Sequence, residues 1–66
     1  MINKDGIEIK VGQVWRDCDR RAHRTVEVIG LRPDDKKVQV KSGNRLTWIS
    51  LRRMHKHASG YVLVTP

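Results

Sequence analysis

The chain has 66 residues, with 14 lysines and arginines against 7 aspartates and glutamates, a net charge of +7, and a single cysteine. A chain this short makes one domain at most and buries only about 60% of the surface its unfolded form exposes, which argues against a deep catalytic cleft and against an enzyme. Cys18 alone cannot build an intrachain disulfide framework and fits a reducing, cytoplasmic setting. No stretch reaches the roughly 18 apolar residues of a membrane-spanning helix, and residues 1–6 lack the apolar run of a signal peptide.

The charge is segregated. Residues 1–35 balance Lys4, Lys10, Arg16, Arg20, Arg21, Arg24 and Arg32 against Asp5, Glu8, Asp17, Asp19, Glu27, Asp34 and Asp35. Residues 36–66 carry Lys36, Lys37, Lys41, Arg45, Arg52, Arg53 and Lys56 with no acid at all. A field of one sign attracts a polyanion and speeds encounter with it, although small basic proteins also carry charge for solubility alone.

Apolar and polar residues alternate in residues 7–11, which suits a short strand or an extended lead-in. After Gly12, residues 13–18 alternate again as a first strand, with Val14 and Cys18 on one face and Trp15 and Asp17 on the other. Trp15 is expected to pack against Ile7, Ile9 and Val11. Residues 19–23 are charged and aperiodic, a loop. Residues 24–31 are rich in β-branched side chains and form a second strand with Val26 and Val28 on one face. Arg32-Pro33-Asp34-Asp35 is a turn, Pro33 presetting the backbone and Asp tolerating a left-handed conformation. Residues 36–41 alternate as a third strand, with Val38 and Val40 inward and Lys37, Gln39 and Lys41 outward.

At the next hairpin, turn length decides the faces. A two-residue loop at Gly43-Asn44, with Gly where a type II′ turn asks for it, opposes Ser42 to Arg45, Val40 to Thr47 and Val38 to Ile49. Lys37, Gln39, Lys41, Leu46, Trp48 and Ser50 then share one exposed face. A three-residue loop would instead oppose Val38 to Trp48 and send the indole into the core, because one residue of slip flips every side chain. The paired valines suit Ile49 and Leu51, which favours the shorter loop. Leu51-Arg52-Arg53-Met54 loses the alternation and suits a 3₁₀ turn whose Leu51 and Met54 plug one end of the core. Residues 55–60 are a polar loop, and Tyr61-Val62-Leu63-Val64 is a last strand stopped by Pro66.

These elements point to an all-β fold, a small antiparallel barrel of about five strands with a 3₁₀ turn before the last. The Gly12-Gln13-Val14-Trp15 opening, the charged loop, the three-stranded meander and the Leu51-Arg52-Arg53-Met54 turn resemble the SH3-like barrel, a superfold that includes KOW and Tudor-type modules. The segment 11–54, from Val11-Gly12-Gln13-Val14-Trp15-Arg16-Asp17 to Trp48-Ile49-Ser50-Leu51-Arg52-Arg53, also resembles short uncharacterised proteins of phage and prophage genomes. Residues 19–26 hold none of the glycines of a KOW motif, and three aromatics (Trp15, Trp48 and Tyr61) are too few for a methyl-ligand cage. Fold resemblance alone does not give function.

The candidate binding residues are Lys37, Gln39, Lys41, Arg45, Trp48, Arg52 and Arg53: cations for phosphates, an amide for a base or phosphate, and an indole on which an unpaired base can stack. The competing reading of Trp48 is a flank shielded by lysine stems. Arg20, Arg21 and Arg24 extend the basic surface more weakly, because Asp17 and Asp19 offset them. Cys18, His23, His55 and His57 match no zinc-finger spacing, so neither metal nor cofactor is expected. The expected partner is DNA or RNA, bound with little sequence specificity. The alternative is a host protein docked through a tryptophan anchor with an arginine rim, and a third, lower reading is an oligomer built by strand pairing between subunits.

Overall fold

Valine, isoleucine and threonine at alternating positions favour extended backbone, since their branched side chains pack well on a pleated surface. The computed structural model describes residues 1–21 and 24–65. Its strands are β1 (Val14–Asp17), β2 (Thr25–Arg32), β3 (Lys37–Ser42), β4 (Arg45–Ser50) and β5 (Tyr61–Thr65), with 3₁₀ turns at Pro33–Asp35 and Leu51–Arg53. They form one antiparallel sheet in the order β4-β3-β2-β1-β5. The all-β architecture follows the alternation; the sheet, however, is not closed, and β4 and β5 are its two edges. Ala22 and His23 of the expected loop, and the strand-stopping Pro66, lie outside the described residues.

The β3–β4 hairpin adopts the two-residue register, with Ser42 opposite Arg45, Val40 opposite Thr47, Gln39 opposite Trp48 and Val38 opposite Ile49. Gly43 has φ +60° and Asn44 is not left-handed, the combination of a type II′ turn, whose twist matches that of the strands it joins. At the other hairpin, Lys36, not an aspartate, takes the left-handed position, with φ 54°. Pro33 starts a full 3₁₀ turn there, so the chain reverses one residue after Asp35. The carbonyl of Lys36 accepts from the N–H of Leu51 at 2.9 Å and joins the two 3₁₀ turns.

The register of β2 on β3 shifts between Val28 and Gly30, leaving Ile29 as an extra residue. Such a bulge changes the parity of a strand. Val26 and Val28 face the core before it; after it Leu31, opposite Val38, packs against the core while Arg32 turns to the outer face.

The core consists of Ile9, Trp15, Val26, Val28, Val38, Val40, Ile49, Met54 and Tyr61, with Leu31, Leu51, Leu63, Met1 and Ile7 packed against it. Trp15 is wholly buried, beside Ile9 as expected, whereas Val11 is exposed. Residues 7–11 form no strand; the N-terminal segment folds back through a lone bridge between Ile2 and Glu8. Two buried amides hold it. Asn3 Oδ1 accepts from the N–H groups of Asp5 and Ile7 at 3.0 and 2.9 Å, and Nδ2 donates to the Met54 carbonyl. Gln13 Oε1 accepts from the Lys10 N–H at 2.9 Å and the Trp15 indole N–H at 3.2 Å, and Nε2 donates to the Glu8 carbonyl. Each satisfies groups that would be expensive to bury unpaired.

Candidate functional site

Opposed residues of the β3–β4 hairpin share a face, so Lys37 with Ser50, Gln39 with Trp48 and Lys41 with Leu46 form three rows on the outer side of the sheet. Trp48 is 41% exposed and Leu46 more so. The guanidinium of Arg32 lies over the indole, 4.5 Å from the ring centroid. Arg32 Nε and Nη2 donate to the two oxygens of Asp35 at 2.8 and 2.7 Å. That bidentate bond holds the Asp35 carboxyl below the usual carboxylate range and raises Arg32 above its own. Glu27 stands opposite Lys41 across β2 and β3, so part of the lysine charge on this face is offset.

Arg45 lies elsewhere. It has the parity of Thr47 and Ile49 and therefore belongs to the inner face, where the sheet curls until residues of both edge strands line one cavity of about 220 Å³. Val26, Val40 and Ile49 supply its apolar part. Arg24, Arg45 and Arg53 stand around it, with Ser42, Thr47 and Tyr61 completing the lining. Arg24 Nε donates to the buried Asp17 at 3.3 Å. Arg53 lies over the Tyr61 ring, 5.7 Å from its centroid, and donates through Nε and Nη2 to the Ser59 carbonyl at 3.3 Å.

Arg53 also lines a broader recess of about 610 Å³ on the far side of the second 3₁₀ turn, with Arg52, Lys4, His55 and His57. Asn3 and the bond from the Lys56 N–H to Asp5 tie the N-terminal segment to this end and bring Lys4 there. The His55 and His57 rings are 4.1 Å apart. His57 Nδ1 accepts from the Ser59 N–H at 3.3 Å, while Nε2 is buried without a partner among the described residues. Loss of water, then the charges of His55, Lys4 and Arg53, push the His57 imidazole below its ordinary value; Asp5 opposes them. Gly60 is obligatory beside this pair, because a Cβ there would collide with the His55 carbonyl and the His57 ring.

The seven candidate residues thus divide into two groups. Lys37, Gln39, Lys41 and Trp48 form one outer patch; Arg45, Arg52 and Arg53 sit around the second 3₁₀ turn and the cavity mouth. Arg24, a weak candidate from sequence, lines the cavity, whereas Arg21 bonds Asp19 well away from it. Arg32 is not among the sequence candidates, since the sequence reads it as the start of the turn; β2 instead runs on to Arg32, and the bulge turns it to the outer face. Lys4 gave no local signal, since its position depends on Asn3 finding Met54 51 residues away. Among the described residues no group of three or more metal-ligating side chains converges, and no helix is long and apolar enough to cross a membrane.

Comparisons with protein-family models, curated proteins and solved structures find no significant match.

Proposed function

We propose that this chain is a non-enzymatic binding module of SH3-like barrel type that holds DNA or RNA with low sequence specificity. Its surface runs from the outer rows of β3 and β4 around the second 3₁₀ turn. The observation that carries the reading is the acid-free basic half of the chain, residues 36–66, whose Arg52 and Arg53 meet Lys4 at one end of the sheet. Phosphates would meet Lys37, Arg52 and Arg53, and an unpaired base would stack on the part of Trp48 that Arg32 leaves open. Such contacts are tolerant of sequence, because every nucleotide offers a phosphate and every base a π-face.

Fluorescence anisotropy with labelled single- and double-stranded oligonucleotides across a salt series tests this. The logarithm of affinity is expected to fall with the logarithm of salt by about 0.9 per phosphate contacted on duplex DNA and about 0.7 on single strands. Absence of binding at low salt rejects the reading.

A protein-docking role is the second reading, favoured by the exposed Leu46 beside Trp48 and its stacked Arg32, since aromatic, aliphatic and arginine side chains together are the composition of an interface hot spot. Capture of a stoichiometric protein that survives nuclease treatment would favour it over nucleic acid.

A further inference from the structure

We propose that the cavity between the two edge strands is a binding site for a phosphate monoester, separate from the outer face of β3 and β4. Three features of its lining point to that chemistry. It is cationic without compensation from its own wall: Arg24, Arg45 and Arg53 line it, and no carboxylate does. Asp17 engages only Nε of Arg24 and the Ser59 carbonyl only Nε and Nη2 of Arg53, while Arg45 has no ion-pair partner among the described residues. Guanidinium N–H groups therefore remain for a ligand from all three sides.

The second feature is the hydroxyls. Ser42, Thr47 and Tyr61 share the lining, and none of these hydroxyls is hydrogen-bonded to another described residue. Tyr61 is 2% exposed, yet its hydroxyl is not sealed from solvent, so it stays open to a ligand at the cavity wall.

The third feature is shape. At about 220 Å³ the cavity is smaller than the roughly 300–1,000 Å³ of a drug-sized ligand site. It accommodates a phosphate and the adjoining part of its ester, not a long chain threaded through. A phosphodiester has substituents on two oxygens; a monoester has one and leaves three oxygens to accept bidentate guanidinium bonds. Its charge of about −1.5 to −2 at neutral pH also matches three guanidiniums better than a single carboxylate does. Val26, Val40 and Ile49 form an apolar floor beneath, which lowers the local polarity under those bonds. The same group occurs on a free mononucleotide and at the end of a nucleic-acid strand.

Titration of ¹⁵N-labelled protein with inorganic phosphate, a nucleoside 5′-monophosphate, and matched oligonucleotides with and without a 5′-phosphate tests the site. Phosphate and the mononucleotide are expected to shift the signals of Arg45, Thr47 and Tyr61 and to leave Lys37 and Lys41 unmoved. Arg45→Gln should weaken this binding at least about 10-fold, one guanidinium bond to a charged group being worth roughly 1.5–3 kcal/mol. Lys10→Gln, which removes the same charge from an exposed position away from the cavity, should not. Thermal unfolding of Arg45→Gln should match that of the parent, since Arg45 is exposed and has no ion-pair partner among the described residues.

A preference of about 10-fold or more for the 5′-phosphorylated strand, lost in Arg45→Gln, identifies the strand end as the source. Mononucleotide binding without that preference identifies the free metabolite. No Arg45-dependent shift with either phosphate probe overturns the proposal. Salt-sensitive binding of the unphosphorylated strand alongside that null result would leave the nucleic-acid reading standing, and the reverse pattern would reject that reading alone.

Discussion

The two tryptophans stand on strands of one sheet and have opposite surroundings. Trp15 is wholly buried, its indole N–H given to Gln13, in the part of the core that the N-terminal segment and Met54 cover. Trp48 is on the outer face of an edge strand, covered by one arginine that is itself held by Asp35. The difference is not one of residue type or local propensity. It arises from strand parity and from what the rest of the chain lays across each side. The inner side near Trp15 receives a buried-amide clamp; the outer side near Trp48 receives only one turn, and the inner side near Arg45 is left as a cavity. In a domain this small there is not enough chain to cover both faces, and the uncovered places are where arginine and lysine collect.

The largest expected effect breaks the covered region. Trp15→Ala should cost about 3–5 kcal/mol by cavity formation and lost burial. The whole stability of a chain of this size is only roughly 3–10 kcal/mol at 0.05–0.15 kcal/mol per residue. Chemical denaturation should therefore find the variant largely unfolded or close to it. A loss below about 1 kcal/mol would mean that the indole is not the centre of the core.

The matching change at the other indole should do the reverse. Trp48→Ala is expected to leave the denaturation midpoint nearly unchanged and to weaken single-stranded oligonucleotide binding by about 1–3 kcal/mol, roughly 5- to 150-fold. Lost stability with intact binding would assign Trp48 to shielding the sheet, and the two tryptophans would then differ only in degree.

Much of this contrast is legible in the chain. The Val38/Val40 and Thr47/Ile49 alternation around Gly43-Asn44 sets the hairpin register, and with it the exposure of Trp48 and the shared face of Lys37, Gln39 and Lys41. Alternation also places Arg45 on the inner parity, apart from those lysines, although its charge groups it with them when only composition is considered. Three things were not legible. The bulge at Ile29 has only the neighbouring Gly30 as a signature in a run of β-branched residues, and it alone moves Arg32 over the Trp48 ring. The roles of Asn3 and Gln13 depend on partners that become neighbours only after folding. Closure of the sheet was expected from the general advantage of removing edges, yet β4 and β5 stay edges, and inner-face residues of both border one arginine-lined cavity.

The smallest expected effect sharpens the comparison at the one clamp on Trp48. Asp35→Asn removes the charge that holds Arg32 and should leave the melting temperature within error, because both partners are about half exposed and the pair is a surface one. It should nonetheless change Trp48 emission, since the guanidinium is released from the ring. Protonating Asp35 should do the same in the parent. Its bonded carboxyl titrates below the ordinary 3.8, so the clamp is complete above that value and is lost as pH falls through the lowered one. Trp48 emission should accordingly hold steady down to about pH 4 and move only below it. Trp48→Phe, whose remaining indole is Trp15, should show no change in that window until the fold itself is lost. A Trp48 transition centred at or above 3.8, or an identical one in Trp48→Phe, would remove Asp35 as the cause and leave the two indoles distinguished by burial alone.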